Sequence, residues 1–277
     1  MKWIFSVLLA ALLLLSVTAV AITIPITTPI IIPASEKAVD RSNADASPVI
    51  DKTGGNDGDS KLELHPPGLE KKVFIHYKKG YAKPPWAGGK KENKCYDFLG
   101  RGVKWKTLPI NYVIDPDNSG LAEDFVTTAI SAATSEWDSH TSTQLFGTYS
   151  VVHDATWDSD APDGRNEYLF GDYPDDNVIA VTVVWGYFYG PPQTREITEY
   201  DVLFNTRFPW GNGDVDSTVM DLQNIATHET GHGLGLDDLY DTACSEETMY
   251  GYSEYGETTK RTLNTGDIMG IQELYGA

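Results

Sequence analysis

Basic residues are scarce where most of this 277-residue chain lies. Residues 108–277 hold five Lys/Arg against thirty Asp/Glu, a net charge of −25. So acidic a body repels a phosphate backbone, which excludes nucleic acid as its partner. No long apolar run follows the first 21 residues, so no second membrane-crossing segment is expected. No internal repeat is visible. Cysteine occurs twice, at 95 and 244, enough for one disulfide. Apart from a pair at 228 and 232, the acidic body carries only two histidines, His140 and His153.

The ends of the chain differ in kind. Lys2 precedes an apolar run from Trp3 to Val20, and Ala19-Val20-Ala21 has the small-x-small form of a signal-peptidase site. Residues 1–21 therefore read as a signal peptide, and the body is secreted; an uncleaved segment would instead anchor it to a membrane. Outside the cytoplasm two cysteines are expected to pair. The competing reading makes Cys95 a thiolate that caps a metal in a latent form. Residues 22–94 read as a linker or pro-segment. Prolines at 25, 29 and 33 oppose regular structure, and DKTGGNDGDS (51–60) is polar and glycine-rich. A basic strap follows, with a net charge of +8 over residues 61–107. Within it VFIHY (73–77) reads as a strand or an extended strap.

Residues 95–277 read as one globular α+β body. LPINYVID (108–115), STQLFGTYSVVHD (142–154), DNVIAVTVVWGYFY (176–189) and REITEYDVLFNTRF (195–208) carry strand patterns. Residues 121–140 place Phe125, Ala129, Ala132, Ala133 and Trp137 on one helical face, with Ser119 placed to cap it. MDLQNIATHETGHGL (220–234) reads as a second helix and LNTGDIMGIQELYG (263–276) as a last, short one.

The second helix ends in HETGHGLGLDD (228–238). Four residues on a helix bring His228 and His232 within about 6 Å of rise and 40° of rotation, so both rings can reach one ion. Glu229 is turned about 100° from His228, better placed to hold a water as general base than to ligate. A catalytic zinc needs a third protein ligand and an open position. Had the helix continued, Asp238 would lie about 9 Å beyond His232. The chain must break and return, and Gly235 can take the left-handed conformation that such a turn requires. Gly231 and Gly233 keep the helix surface bare beside the metal. Asp237 and Asp238 are both candidates for the returning carboxylate.

HETGHGLGLDD resembles the extended zinc signature of the metzincin proteases, H-E-x-x-H-x-x-G-x-x-H or D. TMYGY (248–252) is similar to their Met-turn. DIMGIQELYG (267–276), ITEYDVLFN (197–205) and the strand–helix–Trp pattern at 110–137 resemble the matrixins among them. The resemblance covers about residues 95–277. It implies a twisted mixed β-sheet with an active-site helix and a C-terminal helix. It assigns His228, His232 and Asp238 to Zn²⁺, Glu229 to base catalysis, Met249 to the floor under the metal and Tyr250 to the specificity pocket. It makes strand 197–205 the rim that pairs with an extended substrate. An aspartate as third ligand is the pattern of the snapalysin-like branch. The structural zinc of matrixins needs more histidines than His140 and His153 supply, so it is expected to be missing. The acidic stretch 158–176 could hold Ca²⁺ through Asp160, Asp163 and Asp172. Cys95, in NKCYDFLG, does not match the matrixin latency heptapeptide, which favours a Cys95–Cys244 disulfide. The function implied is a secreted zinc endopeptidase acting on a protein or peptide substrate, monomeric and free of membrane once the signal is removed. The alternatives are an inactive cell-surface binding module on the same fold and a zinc hydrolase with a non-protein substrate.

Overall fold

The computed structural model describes residues 66–81 and 94–277. Residues 1–21, read above as a signal peptide, and most of the 22–94 segment lie outside the described residues. The strands are β1 (Glu70–Lys78), β2 (Ile110–Ile114), β3 (Phe146–Val151), β4 (Glu167–Gly171), β5 (Val178–Tyr187), β6 (Glu196–Asn205), β7 (Trp210–Gly211), β8 (Met220–Asp221) and β9 (Tyr252–Ser253). The helices are α1 (Glu123–Asp138), α2 (Leu222–Gly233) and α3 (Thr265–Tyr275). One sheet runs in the order β3-β2-β4-β6-β5-β1-β9, and β7 pairs with β8 separately. The neighbours among β2, β3, β4 and β6 are parallel, β5 lies antiparallel to β6, and β1 lies antiparallel to β5. The fold is thus the expected α+β mixed sheet with an active-site helix and a C-terminal helix.

Burial explains the strand composition. Tyr168, Phe170, Ala180, Val184, Tyr200, Val202 and Phe204 join the main core, where α1 and α2 pack on each other and α2 packs on β5 and β6. The alternate residues Leu169, Val183, Trp185 and Leu203 are buried on the other face against Trp157 and its neighbours. Strands covered on both faces lose their period-2 signature and read as continuous apolar runs.

Two expectations are corrected, the rim strand and the cap of α1. The acidic stretch 158–176 contains β4, buried throughout. Strand 197–205 is not the rim: β6 lies between β4 and β5, and β5 in turn pairs with β1. Ser119 accepts from the Leu121 N–H, and the N-cap of α1 is Ala122, whose side chain makes no cap. VFIHY takes the first of its two readings: it is part of strand β1, paired with β5.

Cys95 and Cys244 are disulfide-bonded. The bond secures residues 97–99, which lie along the turn after α2: Leu99 N–H donates to Gly235 and Asp237 N–H to the Asp97 carbonyl. The two cysteines are 149 residues apart. By loop-closure entropy, replacing both with serine should lower stability by about 2–5 kcal/mol. Urea denaturation of the double variant beside wild type measures it.

Candidate metal and catalytic site

The site is assembled on α2, which is buried along nearly its whole length. The Asp221 carboxylate caps its first turn by accepting from Asn224 N–H at 2.8 Å, and Arg261 donates to the same carboxylate. At the other end the chain reverses within two residues. Gly235 N–H donates to His232 C=O at 3.0 Å and Leu236 N–H to Gly231 C=O at 3.0 Å, the paired bonds of a Schellman turn. Gly235 has φ +104°, and a Cβ there would strike the Val103 carbonyl. The turn forms as expected and returns Asp238 to the helix.

The other two glycines do more than leave the helix bare. A Cβ on Gly231 would collide with Met249 Sδ and sit 2.8 Å from Trp137 Cζ2; one on Gly233 would sit 2.8 Å from the Tyr200 ring. Met249, 1% exposed, therefore packs directly on the helix between the two histidines. Asp267 at the start of α3 holds this segment by accepting from Thr248 N–H at 2.6 Å and Met249 N–H at 3.1 Å.

His228 Nδ1 donates to Thr248 C=O at 2.7 Å, and His232 Nδ1 donates to Leu236 C=O at 3.1 Å. Carbonyl acceptors fix both Nδ1 atoms as N–H, so each neutral ring turns its Nε2 lone pair inward. The two Nε2 atoms are 3.2 Å apart, and Asp238 Oδ1 lies 3.3 Å from one and 3.5 Å from the other. Tetrahedral zinc with bonds of about 2.0–2.1 Å spaces its ligand atoms about 3.3–3.4 Å apart. Asp238 Oδ2 accepts from the Tyr240 hydroxyl at 3.0 Å, whereas Oδ1 is buried with no hydrogen-bond partner. A buried carboxylate oxygen facing two lone pairs requires a cation. In the metal-free protein a proton on His232 meets part of that need. Burial disfavours a charge on His232, yet Asp238 beside it outweighs burial and raises its pKa to about 9. Burial likewise disfavours the Asp238 carboxylate, but the two histidines hold its pKa well below the usual range. Burial lowers His228 to about 4. The residues present thus fit zinc.

Glu229 is fully buried, and burial raises its pKa. Both of its oxygens are engaged. Thr182 of β5 donates to Oε2 at 2.5 Å, and His76 of β1 donates from Nδ1 to Oε1 at 2.8 Å. His76 Nε2 accepts from the Ser253 hydroxyl at 3.1 Å. Burial, reinforced by Lys260, lowers the His76 pKa to about 3, so the ring is neutral. It lies 4.0 Å from the His228 ring, and Phe74 of β1 stacks on His232 at 4.0 Å. Sequence reasoning missed His76, Phe74, Thr182 and Ser253. The one available signal was the VFIHY alternation, which sets Phe74 and His76 on a common face. Tyr250 follows Met249 in the chain, with its ring 5.8 Å from that of Tyr252.

The acidic residues are arranged differently from the expectation. Asp172 pairs with Arg207 at 2.7 Å, and Asp163 accepts from Arg165 N–H. Among the described residues no cluster joins Asp160, Asp163 and Asp172; Asp158, Glu199 and Asp201 converge instead. Both Asp201 oxygens are buried without a hydrogen-bond partner. Burial and the nearby Glu199 and Glu167 raise its pKa well above the carboxylate range, and burial pushes Glu199 up to about 7. His140 pairs with Glu136 and His153 with Asp117.

A mixed sheet with an antiparallel strand β5, set over a helix that presents two histidines and a glutamate and ends in a glycine turn, is a metzincin-type fold. The matrixin family model matches residues 104–276, and the chain belongs to that family. Matrix metalloproteinase-16 of Homo sapiens is 36% identical over 76 residues, and so are those of Rattus norvegicus and Mus musculus. The matched stretch is 27% of this chain and 12% of the length of each relative.

Replacing Gly231 with alanine forces Met249 and Trp137 apart. The expected loss is about 1–3 kcal/mol, as for other overpacked cores, read by thermal unfolding of the metal-free protein.

Proposed function

We propose that this chain is a secreted zinc-dependent endopeptidase whose body is residues 95–277, preceded by a signal peptide at 1–21 and a pro-segment at 22–94. The observation that carries the reading is the unpartnered buried Asp238 Oδ1 set between two inward-facing Nε2 atoms. His228, His232 and Asp238 would hold Zn²⁺, leaving one position open. Zinc bound there supplies a Lewis acid for a water and a peptide carbonyl. Glu229 takes the proton of the attacking water and delivers it to the leaving amine. Its burial raises its pKa and so favours carrying that proton. Thr182 orients the carboxylate through Oε2. Met249 closes the underside of the metal site with an apolar side chain, and Tyr250 lines the pocket beside it.

Elemental analysis and casein hydrolysis, run together, test the reading. Wild type should hold one zinc per chain, and Asp238→Ala little. Glu229→Ala should keep its zinc and lose about 10²–10⁴-fold in turnover. Zinc without turnover on any peptide, even with the pro-segment displaced, would favour a binding module or a hydrolase of non-protein substrates.

The cluster of Asp158, Glu199 and Asp201 is the place we assign to Ca²⁺, in preference to Asp160, Asp163 and Asp172. Two unpaired oxygens on a central strand suit an oxygen-seeking cation. Calcium should raise the melting temperature of the wild type by several degrees. It should not raise that of Asp201→Asn, as calorimetry with and without calcium would show.

A further inference from the structure

We infer that β1 is a built-in pseudosubstrate, and that His76 is the residue through which it blocks the catalytic base. The inference rests on the peptidase reading above.

Strand β1 takes the place an extended peptide would take. Without it, β5 would end the sheet on that side, its outer amides and carbonyls open to pairing. Residues 70–77 fill that edge in antiparallel register, from Glu70 opposite Gly186 to Tyr77 opposite Val178. On its other side β1 runs parallel to β9, with Tyr77 opposite Tyr252 and Lys78 opposite Ser253. A segment added to a sheet edge, with alternate side chains entering the protein, is the geometry of peptide recognition by strand addition. Here the alternate side chains are Phe74 and His76. They meet His232, His228 and Glu229, the residues assigned to metal and proton transfer.

The contact leaves no room for catalysis. His228, Glu229 and His232 are 0% exposed, and Asp238 is 3% exposed. A base must reach the proton it abstracts directly or through one water. Both Glu229 oxygens are already taken, one of them by the His76 N–H. The side chain of His76 thus replaces the water that Glu229 would hold.

The attachment is reversible in principle. No cysteine lies in 66–81, and both cysteines of the chain are in the disulfide. What holds β1 is its ladder, two buried rings and lysines on an acidic body. Lys79 pairs with Glu254 at 2.6 Å, Lys78 lies over the Tyr255 ring, and Lys71 donates to the Ser159 carbonyl. One cut between residues 82 and 93 would remove the covalent link between β1 and the body.

The test uses the full zinc-loaded chain with a site-specific protease sequence placed between residues 82 and 93. Cutting and removing the strap in high salt should raise kcat/KM on a fluorogenic peptide at least tenfold and speed amide exchange along β5. His76→Ala in the uncut chain should raise it in the same direction. A labelled synthetic peptide of residues 69–81 should then rebind the cut protein. Its His76→Ala version should bind at least tenfold more weakly by fluorescence anisotropy. Equal turnover before and after removal overturns the inference, and so does equal affinity of the two peptides. If no form turns over any peptide, the peptidase reading falls, and the anisotropy comparison alone decides whether β1 occupies a peptide slot through His76.

Discussion

For three donor atoms from eleven consecutive residues to share one ion, each must come within about a bond length of it, and a straight helix cannot bring them there. His228 and His232 meet through helical periodicity. Asp238 meets them only because the chain reverses at Gly235, whose φ of +104° and contact with the Val103 carbonyl admit no side chain. Much of the surrounding structure serves that reversal. Residues 97–99 lie along the turn and bond to it, the disulfide secures them nearby, and Met249 and Tyr200 press on the helix where glycines let them approach.

The polar groups around the cluster are organised outward from it in the same way. Asp267 holds the Thr248 and Met249 N–H groups, the Thr248 carbonyl fixes the tautomer of His228, and His228 presents Nε2 to the site. Tyr240 takes one oxygen of Asp238 and leaves the other. Ordering each ligand through its unused atom makes the inward atoms available only to a cation. This is also why α3, distant in sequence, belongs to the site: its capping carboxylate is the Asp267 that holds the Met249 segment.

The candidate site was legible because its signal is local. The spacing of His228, Glu229 and His232 and the glycine at 235 imply geometry without reference to the rest of the chain. The disulfide followed from compartment and count. What stayed hidden depends on partners far away in sequence. β4 gave no strand signal because EYLFG is short and lies in an acidic stretch, and its five buried residues reflect cover on both faces. The resemblance implied a rim at 197–205, whereas β6 is buried between β4 and β5. The calcium candidates were chosen by proximity in sequence. Convergence was decided by the sheet, which brings Glu199 and Asp201 to Asp158 and leaves Asp172 to Arg207. His76 looked like one histidine in a basic strap, and nothing short of the register of β1 on β5 connects it with Glu229, 153 residues later.

The role of His76 also bears on the chain's use of cysteine. A thiolate guarding a metal must remain free, and a chain with two cysteines outside the cytoplasm tends to oxidise both. Here both are bonded, and the bond serves the segment that steadies the metal turn. Imidazole has no such conflict, since it is inert to oxidative pairing. Buried with its pKa near 3, it remains a neutral donor to Glu229 over the whole physiological range. A histidine at position 76 therefore leaves the disulfide to stability and the strand to latency, two demands that one thiol could not meet together.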